Sequence, residues 1–436
     1  MNVGLITLGC PKNTVDSEII KGAFQGNSLT FVDRIDQAEI IIINTCGFIQ
    51  SAKEEAIEAI FEAVHLKNHK TCSKIIVTGC LVTRYKTELI EEIPEVDLFV
   101  ENREIPELIS QIAQNLRIPY HQSYNRSLLT PAHYAYLKIA EGCNNRCAYC
   151  AIPMIRGSFR SRGIPELVRE AEILATQGVK ELIIIAQDTT LYGTDLANSR
   201  NLTELLKKLC EVPSLKWIRL MYTHPAHFTD ELMEFIASQP KICKYLDIPL
   251  QHVSDPILKR MRRKVTRREI EGLIQKLRDT IPGLVLRTSL MVGFPGETND
   301  SFNELIDFVT EIRFERMGAF AYSQEEGTPA AEFADQIAEE VKQERLELLL
   351  SVQADIAAEK NASLINKELD VLVDEFEEDS GYYLCRTQWD APEVDNTVLI
   401  SDSSCEIGRF YKVKIIDAYE FDLVGNVLPE HSLAWC

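Results

Sequence analysis

Residues 141–150, EGCNNRCAYC, set Cys143, Cys147 and Cys150 in a C-x3-C-x2-C spacing directly after a short strand-like run, Tyr136–Ala140. A tight loop carrying three thiols can ligate three irons of a 4Fe-4S cube and leave the fourth iron without a protein ligand. At a catalytic metal such an open position is where a substrate or cofactor coordinates. The same thiols also fit a zinc loop completed by a distant His or Cys, or plain burial. The segments on either side of the loop decide which frame it belongs to.

Downstream, five more strand-like runs follow: Leu182–Ala186, Trp217–Tyr222, Tyr245–Leu250, Val285–Val292 and Met317–Tyr322. Helical segments such as Ile164–Gln177, Thr229–Ser238 and Asp300–Ile312 separate them. This alternation predicts βαβ units and a parallel sheet. Six units fall short of the eight of a closed barrel, so the expectation is a partial (βα)6 barrel with its site at the strands' carboxyl ends. The cysteine loop then sits at the barrel mouth. An amphipathic helix over Ala338–Ile365 leads out of this domain.

Upstream, three apolar runs share one format. Val3–Leu8 leads to Cys10, Ile40–Ile43 leads to Cys46, and Ile75–Val77 leads to Cys80, with helix-like stretches such as Ser51–Leu66 between them. β-branched runs of this kind predict a second parallel sheet. Each cysteine then lies just past the carboxyl end of a strand, the edge where open parallel sheets bind ligands. A single such cysteine is most simply a small buried hydrophobe. Three on equivalent strand ends can converge on one point.

From residue 368 onward the pattern changes to short alternating runs: Leu369–Val373, Tyr382–Arg386, Thr397–Ile400, Arg409–Ile416 and Phe421–Val427. These predict a small antiparallel β-barrel. The expected fold class is therefore α/β. A parallel-sheet domain spans residues 1–118, a proline-containing linker 119–133, a partial barrel 134–366 and an acidic β-barrel 367–436.

Composition agrees with a globular chain of several domains: 436 residues, 45% hydrophobic and 26% charged. The net charge of −20 argues against one broad basic face for a polyanion. Residues 368–436 hold 16 acids and 4 bases, a net of −12, and so more than half of the whole excess. The start, MNVGLITLGC, lacks a basic stretch and long apolar core, and no run approaches the ~20 residues of a membrane span. The expectation is a cytoplasmic protein without membrane contact, in whose reducing compartment twelve cysteines point to metal chemistry before disulfides. Cys72, Cys210, Cys243, Cys385, Cys405 and Cys436 fall in no motif and read as ordinary thiols.

The cysteine loop resembles the signature of the radical S-adenosylmethionine (SAM) enzymes. In that family three cysteines hold a 4Fe-4S cluster whose open iron binds the amino and carboxylate groups of SAM. The resemblance puts the backbone of Tyr149 near the adenine, and Gln187 and Asp188 near the methionine amino group. Arg287, in the fifth barrel strand, is a candidate to reach a carboxylate. Each of these is equally readable as packing or solvated loop.

The stretches LGCPKNTVDSE (8–18), NTCGF (44–48), TGC (78–80), CAIP (150–153) and VGFPGET (292–298) narrow the resemblance to the methylthiotransferases. It implies that Cys10, Cys46 and Cys80 hold a second 4Fe-4S cluster and that the last domain is a TRAM domain. CPKN after Gly9, AQDTTLYG (186–193), IPLQH (248–252) and RTQWDAPEVD (386–395) are similar to the branch that modifies a ribosomal protein. The implied reaction adds a methylthio group to the β-carbon of an aspartate in the twelfth protein of the small ribosomal subunit. Two SAM molecules serve it, one methylating a cluster-bound sulfur and one yielding the radical that activates the carbon. A low-potential donor such as a flavodoxin supplies the electron. Methylthiolation of transfer RNA is the alternative within the family, and a non-catalytic iron–sulfur assembly factor the alternative outside it. KRMRRKVTRR (259–268), with seven positive charges, reads as a solvated helix face or as a contact for ribosomal RNA. The acids of the last domain, among them Asp374, Glu375, Glu377, Glu378 and Asp379, are expected to attract a basic protein and repel a phosphate backbone.

Overall fold

The computed structural model describes residues 1–25, 29–120, 126–196, 201–401 and 403–429. Its first unit is a five-stranded, wholly parallel sheet. The strands are β1 (Asn2–Thr7), β2 (Thr30–Val32), β3 (Ile40–Thr45), β4 (Lys74–Gly79) and β5 (Leu98–Val100), in the order β2-β1-β3-β4-β5. The two edge strands escape sequence reading because three residues carry too little pattern. The helices α1 (Pro11–Phe24), α2 (Gln50–Asn68), α3 (Cys80–Glu92) and α4 (Ile105–Leu116) pack against the sheet. All six residues of β3 are buried, which is why a continuous β-branched run suits a central parallel strand. Cys10 is the N-cap of α1, Cys46 follows β3, and Cys80 opens α3.

The central unit is a six-stranded sheet in the order β13-β12-β11-β10-β9-β6. Its strands are β6 (Tyr134–Lys138), β9 (Glu181–Ile185), β10 (Trp217–Leu220), β11 (Ile242–Asp247), β12 (Val285–Val292) and β13 (Arg316–Ala321), with every neighbouring pair parallel. These match the six expected strands to within a few residues. β7 (Ala140–Glu141) and β8 (Arg160–Ser161) form a short antiparallel clasp that closes the base of the cysteine loop. The helices are α5 (Ile152–Arg156), α6 (Ile164–Thr176), α7 (Leu202–Cys210), α8 (Asp230–Ser238), α9 (Asp255–Arg260), α10 (Arg267–Thr280) and α11 (Asn299–Ile312). The predicted exit helix is α12 (Glu339–Ala362).

The basic run does not lie on one helix face. It comprises the end of α9, an irregular turn with Arg262 at φ 58°, and the start of α10, where Thr266 and Glu269 form a reciprocal capping box. Arg263 turns inward and is buried, Arg260 pairs with Asp335 at 2.6 Å, and Arg267 pairs with Glu271 at 2.7 Å. Lys259, Arg262, Lys264 and Arg268 remain exposed.

The last unit is a closed barrel of β14 (Glu368–Glu377), β15 (Tyr382–Thr387), β16 (Thr397–Ile400), β17 (Phe410–Ala418) and β18 (Asp422–Val427). Four of its pairings are antiparallel, but β16 and β18 pair in parallel, an exception to the expected all-antiparallel pattern. Cys436 and part of the expected linker, residues 121–125, lie outside the described residues. The described remainder of the linker is not a passive tether. Arg126 is buried, pairs with Glu18 of α1 and with Glu170 of α6 at 2.6 Å, and donates to the Tyr136 carbonyl at 2.7 Å.

The concave face of the six-stranded sheet is filled from two sides. Val15 and Ile19 of α1 and Trp389 and Ala391 of the last domain pack with Tyr134, Tyr136, Ile183, Ile185, Met221 and Tyr245. Buried ion pairs fix the second contact. Arg386 lies between Glu181 (2.8 Å) and Asp374, Arg219 meets Glu181 at 2.7 Å, Arg316 meets Asp390 at 2.7 Å, and Arg287 meets Asp395 at 3.2 Å. Burial alone would raise the Glu181 carboxyl, but Arg219 and Arg386 hold it below its usual 4.5.

Arg386→Met should leave both Glu181 and Asp374 short of a cation in a dry interface. A loss of about 3–5 kcal/mol is expected for breaking a buried pair from one side. Denaturant melts and limited proteolysis around residue 367 would show the last domain released before the rest unfolds. Because Glu181 is depressed in the fold, its contribution is present above about pH 4.5 and is lost as pH falls through its lower folded value. Acid titration should therefore loosen the same interface.

Candidate functional site

Both cysteine triads open onto one cavity of about 360 Å³ between the first unit and the mouth of the barrel. Cys10, Cys46 and Cys80 line one side, and Cys143, Cys147 and Cys150 the other. A wider groove of about 770 Å³, between α6 and α7 on the outer face, is lined by Arg169, Glu172, Glu204 and Lys207 and by no cysteine. The chemistry-bearing residues are all at the smaller one.

On the first side the three strand ends are stapled together by Asn13. Its Nδ2 donates to the Leu8 carbonyl at 2.9 Å and to the Thr45 carbonyl at 3.0 Å, while its Oδ1 faces the Cys80 Sγ at 3.7 Å. Asn44 returns a bond from its own Nδ2 to the Asn13 carbonyl at 2.9 Å. Two glycines allow the close approach. Gly9 has φ +89°, and a Cβ there would stand 2.9 Å from the Cys46 Sγ. Gly79 has φ +107°, and a Cβ there would stand 2.3 Å from the Thr45 carbonyl oxygen.

On the second side the loop is held at several points. Cys143 N donates to the Gly157 carbonyl at 3.1 Å, and Ala148 N donates to the Met261 carbonyl at 2.9 Å. Asn145 Nδ2 donates to Asp188 at 2.8 Å, and Arg263 Nη1 lies 3.9 Å from the Cys147 Sγ. Tyr149 lines the cavity and packs with Met261, Phe294 and Tyr322. Burial pushes the Cys143 thiol up to about 11, Cys150 to about 12 and Cys80 to about 11. Thiols so placed stay protonated until a metal displaces the proton.

Charged residues that join the two sides come from both units. Arg156, 2% exposed, donates to Asp16 at 2.8 Å, to Glu141 at 3.3 Å and to the Cys80 Sγ at 3.4 Å, and its other contact is the Asn13 Oδ1. Lys138 bridges Asp16 and Glu141, the latter at 2.7 Å. Burial would raise Glu141, but Lys138 and Arg156 outweigh it and bring it to about 2. Gln187 completes the chain, donating to Glu141 at 2.6 Å. Asn13, Asn44 and Arg156 were not singled out by sequence, although Asn13 and Asn44 lie inside motifs that carry the resemblance. Buried polar residues leave no periodic signal.

The remaining expected residues separate into two groups. Gln187 and Tyr149 line the cavity. Asp188 stands behind it, its carboxylate engaged by Asn145, Thr190 (2.6 Å), Leu191 N (3.3 Å) and His227 (3.0 Å). Arg287 is also off the lining, tied to Asp247 at 3.0 Å and to Asp395. His224 does reach the cavity wall, and burial pushes it down to about 3. Lys12 reaches it too, with its Nζ 3.0 Å from the centre of the Tyr222 ring, and burial lowers it to about 8.

This donor set fits iron–sulfur clusters. Soft thiolates occur in threes, with no disulfide among them. Among the described residues, Asp188, His224 and His227 are the one group of three His, Cys, Asp or Glu with ligand atoms within 4.8 Å of one another. Neither thiol triad is drawn tight enough for a single ion such as zinc, while a cube spreads its ligands over separate irons. Between the triads the cavity wall carries buried polar atoms without protein partners, Gln187 Oε1, Gln251 Oε1 and Arg263 Nε. Such atoms suit a polar cofactor.

Three family models match the chain: the Radical SAM superfamily over residues 137–309, the uncharacterized protein family UPF0004 over 2–101, and the TRAM domain over 365–428. The ribosomal protein uS12 methylthiotransferase RimO of Desulforamulus reducens is 47% identical, over 98% of this chain and 99% of the relative. RimO of Phocaeicola vulgatus is 48% identical over 98% and 99%. Among solved structures, the radical SAM methyltransferase TsrM from Kitasatospora setae matches 73% of this chain and 74% of its own with a TM-score of 0.55 at 14% identity, a likeness of fold.

Gly79→Ala forces a Cβ into the Thr45 backbone and should splay the first triad. Iron retained after anaerobic reconstitution is expected to fall from about eight to about four atoms per chain, one cube's worth. Iron and acid-labile sulfide assays read this, and a full complement in the variant would refute the close-packing role given to Gly79.

Proposed function

This chain belongs to the uS12 methylthiotransferases, two-cluster enzymes of the radical SAM superfamily, and we propose that it adds a methylthio group to the β-carbon of an aspartate in ribosomal protein uS12. The observation that carries this reading is the shared cavity, whose lining includes both cysteine triads, so that a substrate carbon held there would have both within reach. Cys143, Cys147 and Cys150 would hold the cluster that binds SAM, and Cys10, Cys46 and Cys80 the second. When bound, the clusters and SAM supply the one-electron chemistry and the methylthio group, needed because an aspartate β-carbon is not acidic enough for an ordinary base.

The chain's own residues bind, orient and exclude water. Gln187 and Tyr149 would hold SAM, the first through its unpartnered Oε1 and the second through its place in the wall. Asp188 acts at one remove by fixing Asn145, and Arg287 by fixing Asp247, whose carboxylate accepts from Tyr222 N at 3.0 Å. Arg156 and Asn13 keep Cys80 facing the barrel, and Arg263 secures the far wall by donating to the Pro249 carbonyl. A cavity of this size, lined by residues of two packed units, shields a reactive carbon from solvent.

The TRAM domain suggests contact with RNA. The exposed Lys259, Arg262, Lys264 and Arg268 are suited to ribosomal RNA, whereas Glu375, Glu377, Glu378 and Asp379 form an exposed acidic edge that favours a basic protein over transfer RNA. Asp374 does not contribute, since Arg386 and His133 occupy it. No helix among the described residues is long and apolar enough to cross a membrane. A cytoplasmic enzyme fed by a low-potential donor such as a flavodoxin completes the reading.

Incubation of the reconstituted enzyme with SAM, reductant and uS12 should add a methylthio increment to one aspartate by mass spectrometry. Modification of transfer RNA instead would overturn the assignment. Cys143→Ala should abolish 5′-deoxyadenosine formation. Cys46→Ala should abolish methylthio product while uncoupled 5′-deoxyadenosine formation persists. Equal behaviour of the two variants would contradict separate roles for the triads.

A further inference from the structure

A compact positive patch stands on an acidic protein, bonded to the loop that carries Cys143, Cys147 and Cys150. The chain has a net charge of −20, yet Lys259, Arg262, Lys264 and Arg268 are all exposed within one short turn, and among the described residues none of them pairs with a carboxylate. Exposed lysines elsewhere, such as Lys207, Lys208 and Lys276, lie against Glu231, Glu211 and Asp230. None of the four lines the cavity, so a bound cluster would not supply their counter-charge. Ala148 N of the cysteine loop donates to the Met261 carbonyl at 2.9 Å, and Arg263 turns inward to within 3.9 Å of the Cys147 Sγ. Arg146, exposed in the loop itself, adds a further positive charge next to Cys147. The patch is also small, because Arg260 and Arg267 at its flanks are taken by Asp335, Glu271 and Glu311.

We propose that this patch is the docking surface for an acidic one-electron carrier protein, which delivers its electron to the Cys143, Cys147 and Cys150 side of the cavity. The inference rests on the low-potential-donor reading above and adds the place of entry. Electron transfer slows steeply with distance, so a carrier has to settle close to the cysteine loop. Arg263, the sequence neighbour of both Arg262 and Lys264, reaches the Cys147 sulfur, which puts the patch at that distance. A chain of net −20 repels an acidic carrier from most directions, and a local positive patch both attracts it and fixes where it lands. Charge alone suits the same residues to ribosomal RNA, but a phosphate backbone is extended and would meet the flanking acids on leaving the turn. The carrier gives up one electron and leaves oxidised by one. That electron is consumed in breaking a carbon–sulfur bond of SAM, and no proton moves.

The test uses the reconstituted holoenzyme with flavodoxin as the probe. Calorimetric titration should show binding that weakens as salt is added. Lys259→Glu/Lys264→Glu should weaken it by about tenfold or more, whereas Lys207→Glu/Lys208→Glu, an equal change of charge on α7, should leave it within about twofold. Lys259→Arg/Lys264→Arg should bind as the wild type does. At limiting flavodoxin, 5′-deoxyadenosine formation relative to the rate with dithionite should fall in step with the affinity. Equal weakening by the two reversed pairs makes the effect one of net charge and overturns the inference. So does a Lys259→Glu/Lys264→Glu enzyme that binds flavodoxin normally but loses affinity for a fragment of small-subunit ribosomal RNA, which assigns the patch to RNA. If dithionite yields no 5′-deoxyadenosine from the wild-type enzyme, the radical reading itself fails. If dithionite serves and flavodoxin does not bind, only this inference does.

Discussion

The buried charge cluster of Asp16, Lys138, Glu141 and Arg156 is the contact on which the site depends. It joins α1 of the first unit to β6, β7 and α5 of the second, and its members are nearly free of solvent. Buried ion pairs add little net stability, since desolvation offsets attraction. Loss of one partner, however, strands a charge, so the cluster admits one arrangement of the two units and penalises others. That arrangement brings the Arg156 guanidinium to the Cys80 Sγ and the Cys80 side chain against Ala151 and Ile155. Arg126, between Glu18 and Glu170, repeats the device farther from the cavity. Both cysteine triads therefore face one space because charge complementarity, and not apolar area alone, sets the angle between the units.

A partial barrel leaves a concave sheet face that a closed barrel would fill from its own strands. Here α1 supplies Val15 and Ile19, and the loop after β15 supplies Trp389 and Ala391. The last domain is thus part of the central unit's core as well as a module of its own. This also alters the meaning of its charge. Asp374, Asp390 and Asp395 are spent on Arg386, Arg316 and Arg287 inside the protein, and only the remaining acids project a field outward.

How much of this was legible in the sequence depended on the kind of signal. The six barrel strands and β1, β3 and β4 were readable because parallel-sheet strands are apolar over most of their length. Cys10, Cys46 and Cys80 were readable because each follows such a strand, and Cys143, Cys147 and Cys150 because of their C-x3-C-x2-C spacing after one strand. β2 and β5 were too short to register, and the parallel β16–β18 pair depends on closure, which local alternation does not encode. Asn13 and Arg156 were missed because most of their partners lie 31 to 143 residues away in sequence, and polar residues with distant partners look like surface. Arg287 illustrates the converse. Its place in the fifth strand was correct, but Asp395, from a domain 108 residues on, claims its guanidinium.

Backbone strain is concentrated where the cavity needs shape. Tyr222 and Gln251, both in the wall, hold φ of +58° and +72°, and each such residue costs about 1–3 kcal/mol. Neighbouring strands hold these conformations in place: Tyr222 N is bound by Asp247, and Gln251 bridges to β12 through Ser289 and Met291. A wall that is strained before anything binds does not have to be deformed by the ligand, so binding free energy goes into orientation. For a reaction whose hard step belongs to cofactors, a rigid two-sided cavity that fixes one carbon relative to two sulfur-rich walls is the part of catalysis left to the polypeptide.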